Sequence, residues 1–240
     1  MSKDKQELVN RHRVVSAEEW LAARSALLDK EKAFSRQREE LARARRSLPW
    51  ERVSKKYVFR GAGGDVSLAE LFGAHSQLIV YHFMFKPGAA AGCAHCSFWA
   101  DHFDPMLVHL DHRDTSFVAI SRAPLDKIDA FRKRMGWQFK WVSSGGTDFN
   151  YDYQASFTPA SMSSGSVFYN YKMQPAGPED REGISVFYKD GAGVIFHTYS
   201  CYARGIDMVN GTYQFLDLLP KGRDEDPENT QSWVRYHDRY

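Results

Sequence analysis

The chain has 240 residues, 43% of them hydrophobic and 26% charged, enough to bury a sizeable core as one domain with appendages or as two small ones. Its 32 basic and 30 acidic residues leave a formal charge of +2, which gives no electrostatic reason to expect nucleic acid or an anionic membrane as a partner. The opening MSKDKQELVNRHRVV lacks the apolar stretch of a signal peptide, and no apolar run reaches the roughly 18 residues of a membrane span. A cytoplasmic protein is expected, and there a C-x-x-C pair points to catalysis or metal binding rather than to a disulfide framework.

Residues 16–48 read as helix, with Ser16 and Glu19 as a capping box and Pro49 ending the run. Trp20, Leu27, Phe34, Leu41 and Leu48 recur every seven residues among Arg, Lys and Glu. Such a stripe serves either as the packed face of an amphipathic helix or as a homodimer contact. The weak residues at the d-type positions, Ala23, Lys30, Gln37 and Ala44, argue against a strong coiled coil. The division expected is a helical extension over 1–50, an α/β domain over 51–220 and a charged surface tail over 221–240.

From residue 57, YVFRGAGGDVSL reads as a hairpin, since no phosphate-loop signature is present. SQLIVYHFMF (76–85) is the continuous apolar run of a central strand buried on both faces. Helix is predicted for 93–112, a second buried strand for 115–123, helix for 124–137, and a strand at FKWVSS. A looser Gly-, Ser-, Pro- and Tyr-rich stretch covers 144–182, and residues 184–203 form a strand, an Asp-Gly turn and a return strand. Strands alternating with helices and closing in a hairpin describe an α/β sheet with a mixed edge.

Cys93 and Cys96 arrive where the central strand has ended and a helix opens. A thiol there faces unsatisfied backbone N–H groups, which favour the thiolate. Cys96 lies on the same side of the first turn, placed to resolve a mixed disulfide formed by Cys93. His95 between them would stabilise the thiolate further if its imidazole is protonated. These residues predict a thiol–disulfide oxidoreductase with Cys93 as nucleophile, Cys96 as resolver, His95 as tuner and no cofactor. The partner would be a protein or small-molecule thiol or disulfide.

GCAHCSFWADHFD, YHFMF and FHTYSCYARGIDMVNGTYQFLDLLPKGRDE carry a resemblance to the thioredoxin superfamily. More narrowly, the chain resembles an uncharacterised bacterial thioredoxin-like "domain of unknown function" family, over about residues 8 to 231. The resemblance implies a thioredoxin-like fold, a central mixed sheet flanked by helices, with an added N-terminal helical region. Thioredoxins carry a cis-proline just before the strand that faces the cysteines; DREGISVFY puts Glu182 or Gly183 there. Gly183 is thus the expected substrate-side position, with Arg204 a second anion- or thiolate-binding candidate. The peroxidase branch has P-x-x-x-T-x-x-C, whereas this chain has Pro87 and Ala90 before Cys93, which disfavours a peroxiredoxin-like peroxidase.

The alternative to redox chemistry is a metal-binding or metal-delivery protein. His197 and Cys201 fall at the end of the last predicted strand, on one face by i, i+2 alternation. With Cys93 and Cys96 they could hold zinc or copper; packed core residues are the bland alternative. His102, His109 and His112 follow the cysteine motif and read as a solvated helix face.

Overall fold

The computed structural model describes residues 8–240. The chain forms two compact units, dividing between Leu48 and Pro49. In the first, helix α1 runs over Ala17–Arg46. Ser16 Oγ accepts from the Glu19 N–H while the Glu19 carboxylate accepts from the Ser16 N–H, the expected capping box. No residue of α1 is buried, so the seven-residue stripe keeps its apolar side chains exposed. Among the described residues no helix is long and apolar enough to cross a membrane.

The second unit is built on an eight-stranded sheet in the order β1-β10-β9-β4-β5-β6-β2-β3. The strands are β1 (Glu51–Arg52), β2 (Val58–Gly61), β3 (Gly64–Ser67), β4 (Gln77–His82), β5 (Thr115–Ser121), β6 (Lys140–Ser143), β9 (Gly183–Lys189) and β10 (Ile195–Tyr202). Strand β4 pairs parallel with β5 and antiparallel with β9, and β10 returns antiparallel along β9. After a short helix α2 (Leu68–Leu71), strand β4 leads to the cysteine-bearing helix α3 (Ala94–Ala100). A central strand, a cysteine-opened helix, a parallel neighbour and an antiparallel hairpin on the other side make a thioredoxin-like fold.

The apolar run of β4 is continuous because both its faces are buried. Leu78 and Val80 enter one core with Val118, Ile120 and Phe187, while Tyr81, Phe83 and Phe85 enter the other with Cys96, Trp99 and Phe131. Each large side chain so buried contributes about 1.5–3 kcal/mol, which fixes β4 and the chain leaving it for the cysteines.

Three predicted features differ. The helix expected over 93–112 is two helices, α3 and α4 (Asp104–Asp111). The break comes where Pro105 enters at the start of α4 and the Asp104 carboxylate accepts from the Gln138 and Phe139 N–H groups. The loose stretch 144–182 contains a small hairpin, β7 (Ser166–Tyr169) and β8 (Lys172–Pro175), turned by Asn170 and Tyr171 at positive φ. The segment 221–240, expected on the surface, is exposed over much of its length but returns to the core through Val234, Trp233 and Tyr236. Trp233 meets Phe98 edge-on at 5.3 Å, and Arg134 grips Asp238 with two hydrogen bonds of 2.9 Å. The apolar residues, not the surrounding charges, decide where that segment lies.

Candidate functional site

Cys93 is the N-cap of α3, with extended backbone, and its carbonyl accepts from the Ser97 N–H and Oγ. Its own N–H donates to the Met84 carbonyl at 3.0 Å, tying the loop back to the strand it left. Gly92 before it has no room for a side chain: a Cβ would lie 2.7 Å from Phe83 and 2.8 Å from Phe131. The Tyr236 hydroxyl donates to the Gly92 carbonyl at 2.7 Å. Cys93 is therefore held from three sides, by β4, by two aromatic rings and by the C-terminal segment.

The two thiols differ in environment. Cys93 is partly exposed and Cys96 is 2% exposed, and no disulfide joins them. A hydrogen bond from the Cys96 thiol, outweighing the opposing effect of burial and joined by the Cys96 and His95 backbone N–H groups, lowers Cys93 to about 7. Cys96 moves the other way, far above the ordinary thiol range, because burial and the Cys93 sulfur beside it oppose its charge. With only seven residues in α3, these local N–H groups, not a long macrodipole, favour the thiolate. His95 acts on Cys93 through its backbone, and its side chain is exposed at the cavity edge.

Both thiols line a cavity of about 290 Å³. Tyr81 and Trp99 form its inner side, Glu182 and Arg181 face it from the loop before β9, and Arg204 stands at the rim. That loop is fixed by Arg122, whose Nε donates to Asp180 at 2.8 Å, and by the Ser156 hydroxyl on the same carboxylate. The Tyr81 hydroxyl is fully buried, and the Cys96 thiol is the side-chain group it interacts with.

The structure corrects two sets of predicted residues. Gly183 does not face the cavity. It starts β9 opposite His82, and a Cβ there would lie 2.5 Å from the Tyr202 ring, on the far face of the sheet. Alternation gives the cysteine face to Glu182 and Ile184 instead. Arg204 does line the cavity, largely exposed and paired with Asp207 at 3.2 Å.

The metal set Cys93, Cys96, His197 and Cys201 does not assemble. A bulge between His197 and Tyr199 breaks the alternation of β10. Cys201 then pairs with Ile184 on the cysteine face, while His197 pairs with Phe187 on the other. His197 packs edge-on against Tyr153 at 5.1 Å and bonds the Ser200 hydroxyl at 2.7 Å. Among the described residues no group of three or more His, Cys, Asp or Glu side chains could hold a metal ion. His102 is a structural residue whose Nε2 meets the Thr212 hydroxyl at 3.0 Å, and His109 and His112 are exposed as expected.

The bulge joins His197 to a polar seam under the opposite face. Ser200 bonds Ser185 at 2.8 Å, and Ser185 bonds His82 Nε2 at 2.8 Å. Burial, with the His197 charge second, lowers His82 to about 3 and keeps it neutral. Neither this seam nor Tyr81 and Arg181 at the cavity was anticipated from the sequence. The inward alternation of β4 was the available signal for Tyr81.

Residues 9–240 match the family described as bacterial protein of unknown function (DUF899). No curated protein matches. Solved structures with similar arrangements include a peroxiredoxin Q of Xanthomonas campestris, at TM-score 0.44 and 14% identity, covering 67% of this chain and 89% of that one. Peroxidoxin BcpB of Mycobacterium tuberculosis aligns at TM-score 0.38 and 17% identity, covering 66% and 91%. A putative thiol:disulfide interchange protein DsbE of Chlorobium tepidum aligns at 0.41 and 12% identity, covering 70% and 95%.

Proposed function

The chain belongs to this bacterial family of unknown function (DUF899), and we propose that it is a thiol–disulfide oxidoreductase in which Cys93 attacks and Cys96 resolves. The observation that carries this reading is the asymmetry of the pair: a partly exposed Cys93 lowered to about 7 beside a buried Cys96 that stays protonated. At neutral pH about half of Cys93 would be thiolate, near the optimum for a thiol attacking a disulfide.

The Cys93 thiolate attacks one sulfur of the partner disulfide and expels the other as thiolate. Cys96 loses its proton and attacks Cys93 Sγ, releasing the second partner thiolate and closing the Cys93–Cys96 disulfide. The partner is reduced by two electrons and the protein is oxidised by two; the reverse sequence oxidises a dithiol partner. His95 stands at the cavity edge, where the partner enters. Because Cys93 opens into a walled cavity and not onto a flat face, the partner suited to it is a small disulfide or a flexible peptide segment.

The test is to express Cys96→Ser and Cys93→Ser separately and compare thiol-sensitive adducts on non-reducing gels. Cys96→Ser should accumulate mixed disulfides and Cys93→Ser almost none. Equal trapping by the two variants would remove the nucleophile assignment.

A further inference from the structure

The resolving step needs a proton acceptor, because Cys96 is buried and held protonated beside Cys93. Two carboxylates line the cavity, and Asp207 is tied to Arg204 and Arg223, which leaves Glu182. Glu182 faces the cavity with Cys93, Cys96 and Tyr81, from a loop pinned by the Arg122–Asp180 pair. Among the described residues its carboxylate has no ion-pair partner within 4 Å. The other charged groups around the cavity are engaged or peripheral: Arg204 pairs with Asp207 at 3.2 Å, Arg181 lies over the Tyr169 ring, and His95 is exposed at the edge.

Resting on the oxidoreductase reading, we propose that Glu182 is the general base that takes the proton of Cys96 when the mixed disulfide on Cys93 is resolved. A carboxylate here does nothing for the first step, since its charge opposes the Cys93 thiolate. It opposes a Cys96 thiolate as well, but only while it is charged. Moving the proton from Cys96 Sγ to the Glu182 carboxylate, directly or through one water, removes that repulsion as the new thiolate forms. Cys96 then attacks Cys93 Sγ, the partner sulfur leaves with the electrons of the broken S–S bond, and Glu182 returns the proton to it. The Tyr81 hydroxyl, buried beside the Cys96 thiol, is placed to donate to the transient thiolate.

The experiment uses the full-length reduced protein in a Cys201→Ala background, mixed with dithiodipyridine in a stopped-flow instrument. Attack by Cys93 releases one equivalent of thiopyridone and resolution by Cys96 releases a second. Glu182→Gln should speed the first phase, by removing a charge that opposes the thiolate, and slow the second by about 100-fold, the usual scale of general-base loss. Formate added to Glu182→Ala should restore part of the second phase, as a folding defect would not allow. A second phase unaltered in Glu182→Gln would overturn the role of Glu182 and leave the redox assignment standing. A slowed phase that formate does not rescue would overturn the proton transfer. Absence of a fast first phase in the parent protein would overturn both.

Discussion

Replacing Cys96 by Ala tests why Cys93 is a good nucleophile. The hydrogen bond from the Cys96 thiol is the largest influence holding Cys93 at about 7, with burial opposing it. Against a free thiol near 8.5, the lowering is roughly 1.5 pKa units, on the order of 2 kcal/mol in favour of the thiolate. Without that donor, the backbone N–H groups of His95 and Cys96 must offset burial alone, and the midpoint should climb to about 8.5. At pH 7 the thiolate fraction then falls from about half to roughly 3%. The rate falls less, because a more basic thiolate is intrinsically a better nucleophile; with a Brønsted slope of ~0.45, attack at pH 7 slows only about threefold. The sharper readout is ultraviolet thiolate absorbance against pH, again with Cys201 replaced by Ala. Cys96→Ser retains a hydroxyl donor and should shift less than Cys96→Ala, which also makes it the better trapping variant. A midpoint still near 7 in Cys96→Ala, or equal shifts in the two variants, would show that the thiol–thiolate hydrogen bond is not the cause.

Other perturbations separate site from scaffold. His82 titrates near 3 when folded against about 6.5 unfolded, so the unfolded chain binds more protons and stability falls as pH drops below ~6.5. Urea unfolding should show a loss of about 2 kcal/mol from this group between pH 7 and pH 5, absent in His82→Gln. Gly92→Ala drives a methyl to within 2.8 Å of Phe83 and Phe131; it should cost about 1–3 kcal/mol in urea unfolding and slow the first phase with dithiodipyridine. Stability and rate both unaltered would show that Gly92 does not seat Cys93. The exposed Trp20, Leu27, Phe34 and Leu41 stripe of α1 is proposed as a homodimer contact. Sedimentation should then give a dimer that Phe34→Glu dissociates, and a monomeric parent protein would rule the contact out.

How much of this was legible in the sequence depends on whether the signal was local. The run 76–85 announced a central strand because both faces of β4 are buried, and the position of Cys93 after it announced a helix-opening thiol. Pro105 was an equally local signal for the break between α3 and α4, outweighed by the apolar and histidine pattern running through it. The tail misled because Trp233, Val234 and Tyr236 are few among charges, although burying these residues is enough to bind that segment to the core. The bulge between His197 and Tyr199 carries no glycine and no mark in the sequence. It arises in the pairing of β10 with β9, and one unmatched residue moves His197 to the opposite face from Cys201, dissolving a metal site that strict alternation had assembled. The same arithmetic governs Glu182 and Gly183. Both stand where a thioredoxin would have its proline, but the register that sets Gly183 opposite His82 turns the glycine toward Tyr202 and leaves the carboxylate facing the thiols. Which of the two neighbours could take part in chemistry was therefore decided by strand pairing, and residue type then supplied a carboxylate at the one of the two that faces the cavity.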